Sequence, residues 1–139
     1  MAQVPVGTKG ERKVLVTHEY AIDFLGAEGA RALATPWLIG FMEYACRDSV
    51  KPVLGEGWDT VGTHVDVKHL AATPLGMSVT VRTEVIAADE RRVTFRVEAF
   101  DEKEKIGEGT HQRAIIDVAR FASRLARKRE SPEDSPPGR

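Results

Sequence analysis

The sequence lacks several features that would place it in a special class of protein. One cysteine among 139 residues excludes an internal disulfide and any metal site built from several cysteines. The formal net charge is −1, so no overall field favours nucleic acid or an acidic membrane. The N-terminus has no signal-peptide core, and no apolar run reaches membrane-spanning length. We therefore expect a soluble, cytoplasmic protein.

Several catalytic and binding motifs are also missing. The sequence contains no glycine-rich phosphate loop, no serine elbow and no zinc-ligand spacing, and we expect no bound metal. Hydrophobic residues make up 42% of the sequence, which is enough to form one core. We expect residues 1–128 to form one domain. Residues 129–139 are rich in Ser, Pro, Glu, Asp and Gly and predict a disordered tail.

The most informative stretch is residues 35–53, TPWLIGFMEYACRDSVKPV. Thr35 can act as a helix N-cap, and Pro36 suits the first helical position because its missing N–H is not needed there. Apolar residues lie on nearly all sides, which predicts a buried helix from Pro36 to about Val53. One stripe comprises Ile39, Met42, Cys46, Val50 and Val53, and the other side carries Trp37, Phe41, Tyr44 and Ala45.

Alternating patterns on either side of this helix predict strands. Before it, residues 12–22 are rich in β-formers, and residues 24–34 read as a loop with a short helical turn. After it, strands are predicted over residues 59–71, 77–87, 92–101 and 106–118, followed by a short helix over residues 121–128. Four consecutive strands predict an antiparallel meander with one apolar face, which the long helix must cover. This is the hotdog fold, of class α+β.

Glu43 lies on the predicted helix beside its apolar stripe, where a carboxylate is costly unless it is paired or used. On the strand over residues 59–71, His69 shares a face with Val61, Thr63, Val65 and Val67, so without a bulge it points toward the helix. Glu43 and His69 would then form an acid–base pair. The alternative is a core histidine bonded to the backbone, which is the commoner arrangement for this residue type alone.

Other candidates also have two interpretations. Thr35 serves either as a plain N-cap or as a functional residue at the positive end of the helix. Gly62 marks either a bulge or a close approach of a ligand to the strand. Arg113 reads as a solvated or paired charge and Cys46 as a buried, inert thiol. The remaining histidines, His18, His64 and His111, are expected at the surface or at an interface.

Three segments together resemble the fluoroacetyl-CoA thioesterase family of hotdog proteins. They are TPWLIGFMEYAC, VGTHVDVKHLAATPLGM and IGEGTHQRAII, and the resemblance runs from about Thr35 to Phe121. Each match is weak alone, whereas their order and spacing are specific. The resemblance implies hydrolysis of a small acyl-CoA thioester by homodimers whose active sites lie at the interface. It implies no cofactor beyond the coenzyme A of the substrate.

The same resemblance assigns roles to five residues. Thr35, Glu43 and His69 match the catalytic residues of the family, and Gly62 and Arg113 match residues that hold the substrate. Whether Thr35, Glu43 or a water is the nucleophile is left open. The family's lid phenylalanine is missing here, because Gly29 falls at its expected position. We therefore predict no selectivity for fluoroacetyl-CoA.

Two other functions are compatible with the pattern. A hotdog 3-hydroxyacyl dehydratase or enoyl hydratase also needs an acid and a histidine, and a non-catalytic acyl-CoA binder needs only the fold. The combination of Thr35 with Glu43 favours thioester hydrolysis.

Overall fold

Five strands and two α-helices follow one another along residues 3–130, which are the residues that the computed structural model describes. In chain order they are β1 (Lys9–Leu15), α1 (Thr35–Leu54), β2 (Trp58–His69), β3 (Ser78–Ala88), β4 (Arg92–Phe100), β5 (Lys105–Asp117) and α2 (Val118–Arg129). The first strand begins earlier and ends earlier than predicted, because residues 18–20 form a short 3₁₀ helix. A second 3₁₀ helix, Glu28–Ala30, is the helical turn expected before α1.

The sheet is antiparallel throughout, with the strand order β1-β3-β4-β5-β2. The predicted meander is correct for β3, β4 and β5 but wrong for β2, which pairs with β5 at the sheet edge. The reason is the connection over residues 70–77, which is long enough to carry the chain across the sheet, whereas a two-residue hairpin would keep β2 and β3 adjacent. β1 and β2 are therefore the two edge strands.

Helix α1 lies on the apolar face of the sheet and forms the core with it, which confirms the hotdog arrangement. The buried residues of α1 are Leu38, Phe41, Met42, Ala45, Cys46, Val50 and Leu54. They face buried strand residues that include Val79, Val81, Val85, Val93, Phe95, Val97 and Ile106. Each such side chain contributes roughly 1.5–3 kcal/mol by leaving water.

The helix is not buried on every side, so that part of the sequence interpretation is wrong. Trp37 and Tyr44 lie on the remaining face and are 40% and 56% exposed in the single chain. The predicted N-cap is also wrong: Ala34 is the N-cap, and Thr35 is the first helical residue. The hydroxyl of Thr35 makes a different hydrogen bond, described below. Gly55 ends the helix with a φ of 83°, a value that favours glycine.

Strand β2 contains a bulge between Gly62 and His64. The extra residue, Thr63, shifts the alternation by one, because two residues of β2 oppose one residue of β5 at that point. The pairing of β2 with β5 consequently puts Thr60 and Gly62 on the same face as His69. The predicted faces of Val61, Thr63 and Gly62 are therefore wrong, while His69 does face the helix.

Helix α2 is longer than predicted and includes Arg129. Asp117 caps it by accepting a hydrogen bond from the backbone N–H of Arg120. Residues 131–139 of the predicted tail lie outside the described residues, so their disorder stays a prediction. Within residues 3–130, no helix is long and apolar enough to cross a membrane.

Candidate active site

The first residue of α1 and the last residue of β2 form a hydroxyl–imidazole pair. The Oγ1 of Thr35 lies 2.7 Å from the Nδ1 of His69. Burial lowers the pKa of His69, and a hydrogen bond that the ring donates to the backbone of Ala71 offsets part of that effect. A neutral imidazole with its proton on Nε2 accepts the hydroxyl proton at Nδ1, which is the geometry that activates a hydroxyl nucleophile.

Glu43 belongs to a different set of side chains. Its Oε2 accepts a hydrogen bond from the Nη1 of Arg113 at 3.3 Å and lies 3.8 Å from the Nε2 of His111. The predicted pairing of Glu43 with His69 does not form among the described residues of this chain. Thr35 and Glu43 are eight residues apart on α1, which is about 12 Å along the helix axis. One chain therefore carries two separate groups of candidate residues.

Arg113 is buried and holds the second group together. Its Nε donates to the Oγ1 of Thr60 at 2.7 Å, and its Nη2 donates to the backbone carbonyl of the same residue at 2.9 Å. Burial lowers the pKa of the guanidinium, and the charge of Glu43 opposes that shift. Arg113 remains charged at neutral pH. The sequence left open whether Arg113 is a solvated or a paired charge, and the structure shows a paired charge.

His111 is the residue that the sequence interpretation placed wrongly. It is buried rather than exposed, and its Nε2 lies 3.1 Å from the Nη1 of Arg113. Because arginine can only donate, this nitrogen accepts, and the ring proton sits on Nδ1, which donates to the carbonyl of His64 at 2.8 Å. Burial lowers the pKa of His111, which keeps it neutral. The sequence did contain a signal for this position. His111 and Arg113 are two residues apart on one strand, so their side chains lie on the same face of the sheet.

Gly62 permits the close approach of Glu43 to strand β2. A Cβ placed on Gly62 would overlap the Oε2 of Glu43 and lie 3.1 Å from the Cε1 of His111. The bulge interpretation of this glycine is confirmed, because Gly62 adjoins the register shift in β2. The Glu43 carboxylate occupies the space that its missing side chain leaves, and the approach of a ligand at this position stays a prediction.

Beside Glu43 lies an open cavity of about 750 Å³. Its wall includes Glu43, Arg113, Thr60 and the exposed aromatic rings of Trp37 and Tyr44. Arg47 and Asp59 also line it, and they form an ion pair with each other at 2.6 Å, which leaves Glu43 and Arg113 beside the apolar part of the wall. Such a wall suits a small uncharged group whose carbonyl oxygen needs a donor.

Two further observations limit the chemistry. The thiol of Cys46 is fully buried, and burial raises its pKa to about 12, so it stays protonated as expected. Within residues 3–130, no three His, Cys, Asp or Glu side chains are grouped as metal ligands would be. The hydroxyl of Thr35, the imidazole of His69 and the carboxylate of Glu43 are side chains that can transfer protons or act as nucleophiles.

Comparison with known sequences identifies the family that this chain resembles. A family model described as fluoroacetyl-CoA-specific thioesterase matches residues 16–119. The fluoroacetyl-CoA thioesterase of Streptantibioticus cattleyicolor is 39% identical over 113 residues, which cover 81% of this chain and 81% of that protein.

Comparison with solved structures also finds thioesterases. The fluoroacetyl-CoA thioesterase FlK superimposes with a TM-score of 0.82 at 32% identity, covering 96% of this chain and 98% of that one. A mutant of it in complex with acetyl-CoA gives 0.83 at 34% identity, covering 90% and 98%. A Thermus thermophilus protein described as a thioesterase superfamily member gives 0.86 at 30% identity, covering 97% and 100%.

Proposed function

This chain belongs to the fluoroacetyl-CoA-specific thioesterase family, and we propose that it hydrolyses a small acyl-CoA thioester with Thr35, Glu43 and His69. The single observation that carries the proposal is the 2.7 Å contact between the Thr35 hydroxyl and the His69 imidazole. A hydratase or dehydratase needs no such activated hydroxyl. The acyl-CoA substrate also agrees with the acetyl-CoA complex of a family member.

In the first step, the Oγ1 of Thr35 attacks the thioester carbonyl while His69 takes the hydroxyl proton at Nδ1. The C–S bond then breaks, and the protonated imidazole returns the proton to the departing thiolate of coenzyme A. Thr35 is at the N-terminus of α1, where the helix dipole stabilises the negative charge that develops on the carbonyl oxygen. This step leaves an acyl ester on Thr35.

In the second step, Glu43 acts as the base that activates water to hydrolyse the ester. Arg113 holds the carboxylate in place through its Nη1, and the glycine at position 62 gives the carboxylate room. The water's oxygen bonds to the acyl carbon as one of its protons goes to Glu43. The bond between the acyl carbon and the Oγ1 of Thr35 then breaks, and the proton that Glu43 took from the water passes to Oγ1 as the acid leaves. Gly62 and Arg113 also border the space for the acyl group.

The separation of about 12 Å between Thr35 and Glu43 along α1 supports a site shared by two protomers. In the proposed homodimer, Thr35 and His69 of one protomer act with Glu43 of the partner subunit. The exposed rings of Trp37 and Tyr44 beside the cavity offer apolar surface for such a partner. Edge strand β2, with Val65 42% exposed, offers a further surface.

A mixed dimer tests the shared site. One chain carries Glu43→Gln and the other Thr35→Ala, with each chain separately tagged for purification. If the site combines residues of two protomers, one site of each mixed dimer is intact, and we expect about half of the wild-type activity. If each site uses one chain only, both sites are damaged and the mixed dimer is inactive. Sedimentation checks that the mixed species is a dimer.

The reaction itself is tested by thiol release, followed with a chromogenic thiol reagent over short acyl-CoAs. We expect release of coenzyme A in an amount equal to the acid formed. Addition of water to an enoyl-CoA without thiol release would instead establish a hydratase. Binding without either product would establish an acyl-CoA binder.

The acyl selectivity is expected to differ from that of the named relative. Gly29 is exposed, and a Cβ added to it would meet nothing within 4 Å, so no lid aromatic occupies this position. We therefore expect kcat/KM values for acetyl-CoA and fluoroacetyl-CoA to lie within about tenfold of each other. This corresponds to a difference in activation free energy of at most about 1.4 kcal/mol. A preference of a thousandfold or more for fluoroacetyl-CoA would contradict this expectation.

Gly62→Ala is expected to reduce kcat by at least about tenfold, because its methyl group displaces the Glu43 carboxylate. The end of a flexible side chain can move, so the fold should survive. Circular dichroism and the melting temperature serve as the control. A variant with wild-type kcat would show that the position of Glu43 is not critical.

His111→Gln tests a positioning role for the second histidine. His111 accepts from Arg113 and thereby aims Nη1 at Glu43, so we expect kcat to fall by roughly tenfold with little change in KM. In His111→Phe, kcat should fall further, because phenylalanine supplies no hydrogen-bond acceptor for Arg113. If both variants lose melting temperature but keep kcat, His111 has only a structural role.

A further inference from the structure

A second cavity, distinct from the one beside Glu43, lies between helix α2 and the sheet end formed by β2 and β5. Its volume is about 1010 Å³. Four arginines line it, from α2 and from the β3–β4 turn: Arg91, Arg120, Arg124 and Arg127. Two carboxylates, Glu90 and Asp117, also line it, so positive charge predominates. We call this cavity the arginine groove.

Most of this charge is not neutralised within the chain. Among the described residues, Arg91, Arg120 and Arg124 form no salt bridge. The guanidinium carbon of Arg124 lies 5.9 Å from the centroid of the Phe121 ring. Asp117 uses its Oδ1 to cap α2, accepting from the N–H of Arg120. Asp89 lies near Arg91, but its Oδ1 accepts backbone N–H groups at 2.7 and 2.8 Å. Like charges gathered around one groove repel each other unless an anion joins them.

The helix that supplies three of these arginines carries no acid. Residues 118–129 read VARFASRLARKR, with five basic residues and no Asp or Glu. The opposite wall of the groove is apolar and comprises Trp58, Ile115 and Ile116. A flat apolar wall facing several guanidinium groups suits a ligand with an aromatic base and phosphates, since arginine binds phosphate in bidentate fashion.

The groove and the cavity beside Glu43 are neighbours that share one lining residue. Ile116 lines both, and it stands between Arg113 in one and Asp117 in the other on strand β5. Arg113 and Asp117 are four residue steps apart on the strand, a distance of about 13 Å. An extended pantetheine arm can bridge a gap of this size. A ligand with its reactive end beside Glu43 and its phosphates at α2 would therefore occupy both cavities.

We propose that the arginine groove binds the adenosine 3′-phosphate 5′-diphosphate end of coenzyme A. This inference rests on the proposed function, because it assumes that the substrate is an acyl-CoA. The arginines contact the phosphates, and the adenine lies against Trp58 and Ile115. The groove then selects thioesters of coenzyme A over thioesters of a shorter thiol, while the reacting groups stay the same.

The test uses two substrates with one acyl group, acetyl-CoA and acetyl-pantetheine, and a double variant, Arg120→Gln with Arg124→Gln. For acetyl-CoA we expect KM to rise by about tenfold or more with kcat nearly unchanged, because lost phosphate contacts weaken ground-state binding. For acetyl-pantetheine we expect no change in either constant. Raising the salt concentration should raise the wild-type KM for acetyl-CoA more than that of the variant.

A matched control removes two arginines that do not line the groove, Arg82→Gln with Arg92→Gln. Both residues are exposed, so the control carries the same change in net charge. We expect it to leave both KM values as in the wild type. If the control raises the KM for acetyl-CoA as much as the groove variant does, a general field rather than the groove explains the effect, and the proposal is wrong.

Failure of this inference differs from failure of the proposed function. Equal KM values for acetyl-CoA in the wild type and the groove variant, with normal hydrolysis, overturn the groove alone. If neither substrate is hydrolysed, calorimetry with adenosine 3′,5′-bisphosphate decides: binding that the groove variant loses supports the groove, and no binding overturns it. Loss of binding to phosphatidylserine vesicles with an unchanged KM would mark a membrane surface instead and overturn the assignment.

Discussion

Replacing Glu43 with glutamine should lower kcat for acyl-CoA hydrolysis by about 10²–10⁴-fold, the usual contribution of a general base. The substitution keeps an acceptor oxygen within reach of the Arg113 Nη1, which lies 3.3 Å away in the wild type. It removes the negative charge and the ability to take a proton from water. We therefore expect the acyl enzyme to accumulate, so that a burst of thiol equal to the number of sites precedes a slow steady rate.

The control for this variant is Glu84→Gln, which removes a carboxylate from strand β3 that forms a surface pair with Arg96 at 2.9 Å. Surface pairs of this kind contribute little to stability, and we expect unchanged kinetics. Mass spectrometry of the Glu43→Gln protein should show the acyl group on Thr35. A rate near that of the wild type would remove Glu43 from the catalytic mechanism.

Replacing Thr35 with alanine should lower kcat by at least about 100-fold, whereas Thr35→Ser should stay within about tenfold of the wild type, because serine keeps the hydroxyl. His69→Ala should resemble Thr35→Ala, since each removes one partner of the 2.7 Å contact. When either alanine substitution is combined with Glu43→Gln, the burst of thiol expected for Glu43→Gln should vanish. If His69→Ala changes only the melting temperature, His69 is the core histidine that residue type alone suggested.

The pH dependence follows from the lowered pKa of His69. Its reference value is 6.5, and burial lowers it, so the neutral, accepting form persists into mildly acidic solution. The limb of kcat assigned to His69 should therefore lie below pH 6.5, and a limb above that value would contradict the assignment.

Stability should respond to the same pH range. Both His69 and His111 have folded-state pKa values below 6.5, so the unfolded chain binds more protons as the pH falls through that value. Stability should be complete above pH 6.5 and should decline on acidification toward the folded pKa values. His111→Gln should make the melting temperature less sensitive to pH in this range, which thermal denaturation at several pH values measures.

The helices, the strands and most of the candidate residues could be predicted from local sequence patterns. Apolar residues on most sides of residues 35–53 required a helix against a sheet, and strict alternation in β3 and β4 required one buried strand face. These are local properties, because the period of the apolar residues follows from backbone geometry. Glu43 could be identified for the same reason. A carboxylate beside the apolar stripe of a helix is costly to bury, so its presence there indicates a pairing or a function.

The contacts between the candidate residues could not be predicted in this way, because they depend on the strand pairing. A single extra residue at Thr63 reversed the alternation in β2 and turned Gly62 toward Glu43, and no local pattern announces a bulge. The position of β2 beside β5 brought Thr60 to Arg113, which depends on a connection that crosses the sheet. His111 came to the carboxylate by the same pairing. Long-range pairing is set by the burial of the whole sheet, and a strand read alone does not contain it.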